Sequence, residues 1–299
     1  MCEESKLAEW ARATISRRQF GALTGAAALA ACASGEAESV AQNPLPGLKE
    51  RGVNFATADG TLDGFFVQPE SGNHPAVILW PDIASIREAK RNIARKLAQA
   101  GYAVLVVNPY YRDVTGEQFA DFATFIADGG FQKVGPWRKK LDAAAIMRDA
   151  TAIVDWLDRQ EGVDQAQGIG TQGYCMGGPF TVWSAAAVPS RIKAAASFHG
   201  GGLVREGNPM SPHNVLGQVS ARLLIAVAQD DDAKAPADKT TFAEAALASS
   251  VGATVTVYPG NHGWMVSDSP AYDATAAARG EADLKALYAA ALPPGGGVI

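Results

Sequence analysis

Short apolar segments alternate with longer segments of helical spacing along most of the chain, and this alternation constrains the fold more than any other feature. Near-continuous apolar strands separated by helices are typical of a parallel sheet that is covered on both faces. The sequence therefore predicts an α/β fold, a mostly parallel sheet with helices on both faces. The predicted strands span residues 76–80, 103–108, 166–170, 194–198, 223–228 and 254–258, and the predicted helices span 86–100, 142–159, 179–187, 238–250 and 272–291.

The size of the chain indicates one large globular domain, or at most two small ones. The chain has 299 residues, 47% of them hydrophobic, with a formal net charge of -5. This length supports one large core, and the acidic balance argues against a nucleic-acid partner. We place the folded domain at 50–292, beginning with an antiparallel edge hairpin of 52–56 and 64–68, and followed by a flexible tail at 293–299.

The N-terminal segment has the pattern of an export signal. The paired arginines Arg17 and Arg18 precede an uncharged run of small residues, which is typical of the twin-arginine route. We therefore predict a signal at 1–31, a polar tether at 32–49 and a periplasmic location. The junction Leu29-Ala-Ala-Cys32 also has the form of a lipobox, so Cys32 is a candidate lipid anchor that would hold the protein at a membrane.

The mature chain would keep one cysteine, Cys175, because Cys2 and Cys32 lie at or before the predicted cleavage point. Gly173-Tyr-Cys-Met-Gly177 has the form G-x-nucleophile-x-G, in which a strand turns sharply into a helix with the nucleophile at the apex. Cysteine is also among the most often buried side chains, so a core thiol is the competing interpretation. The flanking glycines favour the nucleophile.

A cysteine nucleophile needs a base and a group that orients the base. His262 follows the last predicted strand, and the acidic run 230–232 follows the strand before it, so both lie at the same sheet edge as Cys175. The chain order of nucleophile, acid and histidine is that of α/β-hydrolases. We predict His262 as the base and Asp231 as its partner, with Asp232 as the alternative acid.

From about residue 50 to 290 the chain resembles the dienelactone hydrolase family. The resemblance rests on Gly173-Tyr-Cys-Met-Gly-Gly178, Pro81-Asp-Ile83, Asn108-Pro-Tyr-Tyr-Arg112 and His262-Gly-Trp264. It implies the α/β-hydrolase fold and hydrolysis of a small-molecule ester or enol-lactone by a Cys–His–Asp triad, with no cofactor and no metal. It also implies that Asp82 contacts the resting thiol. Where family members carry an arginine four residues after the histidine, this chain has Val266.

Further site residues follow from these assignments. The backbone N–H groups of Met176 and Ile83 are the expected oxyanion donors. We expect Tyr111, Arg112, Trp137 and Trp264 to line the substrate pocket. Three other functions stay open: a thiol acyltransferase or peptidase with the same triad, a redox-active thiol protein, and a binding domain without catalysis. The sequence is compatible with a monomer or a homodimer.

Overall fold

A computed structural model of the protein describes residues 45–292, within which the chain folds around an eight-stranded sheet. The sheet order is β1-β2-β4-β3-β5-β6-β7-β8. The first two strands form an antiparallel hairpin, β2 pairs antiparallel with β4, and the remaining pairs are parallel. The strands are β1 Leu48–Thr57, β2 Gly60–Pro69, β3 Ala76–Trp80, β4 Ala103–Val107, β5 Ile169–Tyr174, β6 Ile192–Phe198, β7 Arg222–Ala228 and β8 Ala253–Tyr258.

Helices cover both faces of this sheet, as predicted. They are α1 Glu88–Gln99, α2 Phe122–Ala127, α3 Gly130–Arg138, α4 Ala143–Leu157, α5 Gly178–Ala187, α6 Gln229–Lys234, α7 Asp238–Ala248 and α8 Ala274–Ala291. Helices α1 and α8 pack into one apolar core. Helices α4, α5 and α7 pack into a second core that also contains Cys175. Both faces of the central strands are thereby removed from water, which is why β3 and β4 are apolar throughout.

Local signals in the sequence explain where the helices begin. Helix α4 starts after Asp142, whose carboxylate accepts a hydrogen bond from the N–H of Ala145 at 2.8 Å. Helix α8 starts in the same way after Asp273. Such caps satisfy backbone donors that have no partner within the helix. The apolar spacing predicted for α4 is confirmed, since Ile146, Ile153 and Leu157 are all fully buried.

Several predicted boundaries were wrong. Strand β5 runs from Ile169 to Tyr174 rather than over 166–170, and β1 begins at Leu48, inside the segment assigned to the tether. Helices α2, α3 and α6 were not predicted. The predicted signal at 1–31, the lipobox cysteine and the tail at 293–299 lie outside the described residues. No helix among residues 45–292 combines the length and the apolar character needed to cross a bilayer.

Candidate active site

Cys175 stands at a sharp turn between β5 and helix α5. Its φ of 53° lies in the left-handed region that residues other than glycine rarely adopt, and Cys175 is only 5% exposed. A Cβ on Gly173 would lie 2.0 Å from the carbonyl oxygen of Gly177, so the turn closes only with glycine there. Backbone strain of this kind persists where the surrounding structure imposes it, and it is common at active sites.

The turn packs against the loop that follows β3. A Cβ on Gly177 would lie 2.6 Å from the backbone oxygens of both Trp80 and Pro81, so the two backbones are in direct contact. The adjoining Gly178 meets Gly200 in the same way on the other side. Ile83, the expected second oxyanion donor, is therefore in the loop that lies against the cysteine turn.

His262 follows β8 and is paired with a carboxylate that follows β7. Its Nδ1 atom lies 2.6 Å from Oδ2 of Asp231, and its backbone N–H donates to Oδ1 of Asp230 at 2.8 Å. Asp232, the alternative acid, instead binds the ammonium group of Lys239 at 2.6 Å. Asp231 is thus the carboxylate that can orient the imidazole, while Asp230 holds the backbone of the same residue.

The loop after β6 connects the cysteine turn to the histidine. The N–H of Gly201 donates to the carbonyl oxygen of Cys175 at 3.4 Å, and the ring of His199 lies 5.1 Å from the ring of His262. His199 is 1% exposed, and burial holds its pKa well below the ordinary value. This neutral neighbour of the candidate base was not predicted as part of the site.

Tyr110 links the two predicted oxyanion donors. Its hydroxyl donates to the carbonyl oxygen of Ile83 at 2.9 Å and lies 3.4 Å from the sulphur of Met176. The ring of Trp137 is 5.5 Å from that of Tyr110, and its role as a pocket residue stays a prediction. Trp137 is partly exposed, which suits a wall that substrate can reach.

Asp82 binds two buried cations. Its carboxylate contacts the guanidinium of Arg87 at 2.7 and 2.9 Å and the ammonium of Lys90 at 2.7 Å, and it accepts the N–H of Ala84. Burial alone would raise the pKa of Asp82, but the two cations hold it well below its usual range. Burial lowers the pKa of Lys90 to about 8. These are the bonds of a structural ion cluster, and the contact of Asp82 with the thiol stays a prediction.

Tyr111 and Arg112 are bound to residues of the hairpin and of α4. The Tyr111 hydroxyl donates to Asp149 at 2.6 Å, and the Arg112 guanidinium contacts Asp149 at 2.8 Å and Asp59 at 2.6 Å. Burial and the carboxylate of Asp149 both raise the pKa of Tyr111. Two carboxylates therefore already neutralise Arg112, and the Tyr111 hydroxyl is engaged by Asp149. That these two residues line the substrate pocket stays a prediction.

The prediction that Trp264 lines the pocket was wrong. Trp264 is 0% exposed and stacks on Tyr258 at 4.8 Å, in the core formed with α1 and α8. Helix α8 has Gly280 where it meets this indole, and a Cβ there would lie 2.8 Å from the ring. Val266 is buried in the same core, so the position four residues after the histidine contributes to packing.

A hairpin at one edge followed by parallel strands, with a strained residue at the end of the fifth strand, places the protein in the α/β-hydrolase class. Within this class the chain belongs to the dienelactone hydrolase family, whose sequence profile matches residues 62–292. The protein is therefore a hydrolase. This confirms both the fold and the family resemblance predicted from the sequence.

Comparisons with individual proteins agree with this assignment. An Escherichia coli K12 protein named "Putative carboxymethylenebutenolidase" is 24% identical over 264 residues, which cover 87% of this chain and 93% of the relative. A Klebsiella pneumoniae structure named "Putative Dienelactone Hydrolase" superposes with a TM-score of 0.69 at 24% identity, covering 81% of this chain and 98% of the other. A dienelactone hydrolase-like promiscuous phosphotriesterase from metagenomic libraries gives 0.66 at 23% identity, covering 82% and 99%.

Proposed function

We propose that the protein hydrolyses an ester or lactone bond of a small molecule by nucleophilic catalysis through Cys175, His262 and Asp231. The observation that carries the proposal is the strained turn at Cys175, at the same sheet edge as an imidazole paired with a carboxylate. A buried structural cysteine would have no need of a left-handed backbone between closely packed glycines.

The first half of the reaction would form a thioester. His262 takes the thiol proton of Cys175, and the thiolate attacks the carbonyl carbon of the substrate. Asp231 accepts a hydrogen bond from Nδ1–H, which leaves the other ring nitrogen of His262 to act as the base. The negative charge that develops on the carbonyl oxygen is stabilised by the backbone N–H groups of Met176 and Ile83. The tetrahedral intermediate then collapses, and His262 protonates the departing alkoxide.

The second half would release the acid. His262 takes a proton from water, the hydroxide attacks the thioester carbon, and the same two N–H groups stabilise the second oxyanion. Cys175 leaves as the thiolate and is protonated by His262, so the free enzyme is restored and one ester has become one acid and one alcohol. For a lactone, acid and alcohol remain joined in a single ring-opened product.

The hydrogen bonds around the oxyanion loop support this assignment. Tyr110 binds the carbonyl oxygen of Ile83 and contacts Met176, so a single phenol fixes the two donor-bearing residues relative to each other. Preorganised donors stabilise developing charge because they need no reorientation during the reaction. The buried ring of Tyr110 is held in turn by Trp137.

A substrate panel tests the proposed function. Short p-nitrophenyl esters, a five-membered lactone, a peptide anilide and hydrogen peroxide would each be supplied to the native protein and to Cys175→Ala. Hydrolysis of the esters and the lactone by the native protein alone is the expected result. Faster cleavage of the anilide would identify a peptidase, peroxide consumption a redox thiol, and ester hydrolysis undiminished in Cys175→Ala would contradict the triad.

A further inference from the structure

A fully buried arginine bonds to two carboxylates from separate loops. Arg87 is 0% exposed; its Nη1 and Nη2 atoms reach the two oxygens of Asp82, and its Nε and Nη2 atoms reach the two oxygens of Asp268. The remaining Nη1–H donates to the carbonyl oxygen of Ser85 at 3.2 Å. All five N–H groups of the guanidinium are thus engaged, in two bidentate forks. We call Arg87, Asp82 and Asp268 the Arg87 clamp.

Each carboxylate of the Arg87 clamp lies in a loop that also contains a residue with a proposed catalytic role. Asp82 directly precedes Ile83, the proposed oxyanion donor, and it also accepts the N–H of Ala84 at 3.0 Å. Asp268 lies six residues after His262, in the loop that carries the candidate base. Arg87 therefore connects the loop that follows β3 and contains Ile83, here called the donor loop, with the loop that follows β8 and contains His262, here called the base loop.

Hydrogen bonds within the base loop hold Asp268 in a fixed position relative to His262. Within it, N–H groups of Trp264, Val266 and Ser269 donate back to carbonyl oxygens earlier in the same loop, at 2.9–3.1 Å. The indole of Trp264 is anchored in the core, and Asp273 at the end of the loop donates its N–H to the Trp264 carbonyl. Asp268 itself also accepts the N–H of Phe122 at 3.0 Å.

Burial of these charges is not explained by stability. Buried ion pairs contribute little net stability, because desolvation offsets their attraction, and apolar residues of the same volume often serve as well. A bidentate guanidinium does provide fixed geometry, because each pair of hydrogen bonds sets both the distance from the guanidinium to the carboxylate and the plane in which the two groups lie. The charges are balanced: Arg87 and Lys90 face Asp82 and Asp268. The clamp is suited to holding two loops in register.

We propose that Arg87 is a positioning residue that sets the placement of the Ile83 oxyanion donor relative to His262. This inference rests on the proposed function, since it assigns a purpose to the same site. Arg87 does not touch the reacting atoms; it acts through Asp82 and Asp268. Misplacing catalytic groups by 1 Å can lower the rate about 100-fold.

Arg87→Lys tests the proposal while it keeps the charge. A lysine presents a single ammonium and cannot form two bidentate contacts, so the donor loop and the base loop would no longer be held at a fixed relative position. We expect kcat for a short neutral ester to fall about 10- to 100-fold, with KM within about threefold of the native value. The transition state, rather than ground-state binding, depends on the oxyanion donor, which is why kcat carries the effect.

Arg95→Lys is a matched control on helix α1, which Arg87 directly precedes. Arg95 is also buried, and it forms a fork with Glu50 at 2.7 and 3.1 Å and a further bond to Glu88. None of these partners belongs to the donor loop or the base loop. Arg95→Lys should therefore lower the melting temperature, as is also expected of Arg87→Lys, while kcat stays within about threefold of native.

The outcomes separate this inference from the proposed function. Equal kcat values for Arg87→Lys and Arg95→Lys in folded protein would overturn the clamp while Cys175→Ala, run alongside, remains inactive. Ester hydrolysis by Cys175→Ala would overturn the proposed function itself. If Arg87→Lys is recovered unfolded, Asp268→Asn decides the question: it removes one fork from the partly exposed end, and a loss of less than about tenfold in kcat would refute the clamp.

Discussion

The Nδ1 atom of His262 lies 2.6 Å from Oδ2 of Asp231, although the two residues are 31 positions apart and follow different strands. Strands β7 and β8 are parallel neighbours in register from Leu223 and Ala253 to Ala228 and Tyr258. Their carboxyl ends therefore deliver the acid and the imidazole to one edge. This pair is the part of the site in which geometry determines a tautomer, because Asp231 accepts the Nδ1 proton.

Asp231→Asn should lower kcat by at least about 100-fold, since an amide no longer fixes the tautomer or stabilises the imidazolium. Asp232→Asn is the matched control: its carboxylate binds Lys239, so kcat should stay near the native value. Steady-state kinetics of both variants on one ester provides the comparison. The opposite ranking would show that Asp232 is the acid.

The sequence predicted the elements that are determined by local patterns. The apolar runs of β3, β4, β6, β7 and β8 are nearly where expected, because a buried parallel strand has few polar positions. The predicted position of β5 was wrong because the strand contains Gly-Thr-Gln-Gly, whose polar side chains are buried and give no apolar signal. The turn at Cys175 was predicted from the G-x-Cys-x-G pattern between a predicted strand and a predicted helix.

The pocket residues were harder to predict because their partners are distant in sequence. Arg112 is an unremarkable loop cation until α4 brings Asp149 within 2.8 Å of it. Trp264 follows the candidate base directly, yet Gly280 on α8 leaves room for its ring in the core. Arg87 could not be recognised either, since Asp268 is 181 residues away. Burial and long-range pairing determined these positions.

His199 should make the folded protein sensitive to acid. Burial lowers its folded pKa well below the ordinary 6.5, so below that pH the unfolded chain binds a proton that the folded protein does not. Stability therefore falls as the pH decreases through 6.5, with a slope of at most about 1.4 kcal/mol per pH unit for this one proton. The φ of His199 is 41°, which asparagine tolerates, so urea unfolding of the native protein and of His199→Asn measures this difference.

The control for this prediction is His213→Asn, at a partly exposed histidine. It should keep the native dependence of unfolding free energy on pH, whereas His199→Asn should flatten it between neutral pH and about pH 5. An unchanged slope in His199→Asn would mean that His199 is protonated in the folded protein.

Neutral esters should be better substrates than matched anionic ones. The Arg112 guanidinium is neutralised by Asp59 and Asp149, and Val266 is buried in the core, so neither position offers a charge to a substrate carboxylate. Desolvating an unpaired carboxylate costs free energy, and 1.4 kcal/mol is a tenfold effect. We expect kcat/KM for the neutral member of an ester pair to exceed that of the anion by at least about tenfold.

The anionic ester would be preferred if its carboxylate binds to one of two other arginines, Arg138 and Arg205. Burial and the neighbouring charge of Arg138 lower the pKa of Arg205, which places these two cations near each other. A preference for the anionic ester that disappears in Arg138→Gln would assign the carboxylate to this pair. An anionic preference that survives in Arg138→Gln would require a different cation.

The paired arginines Arg17 and Arg18 predict export, and the junction before Cys32 predicts lipidation. Protein purified from its native host should therefore begin at or near Cys32, in the periplasmic or membrane fraction. N-terminal sequencing and intact mass test both points, and an added diacylglyceryl mass would identify the anchor. Recovery with Met1 intact in the cytosolic fraction would contradict the predicted signal.

The central claim is that Cys175 becomes acylated during turnover. An activated ester whose acyl group is hydrolysed slowly would be mixed with the native protein, quenched in acid within the first turnovers and analysed by intact mass and peptide mapping. We predict one added acyl group on the peptide that contains Cys175, formed faster than steady-state turnover, and none in Cys175→Ala. An acyl group on another residue, or full turnover by Cys175→Ala, would contradict the account.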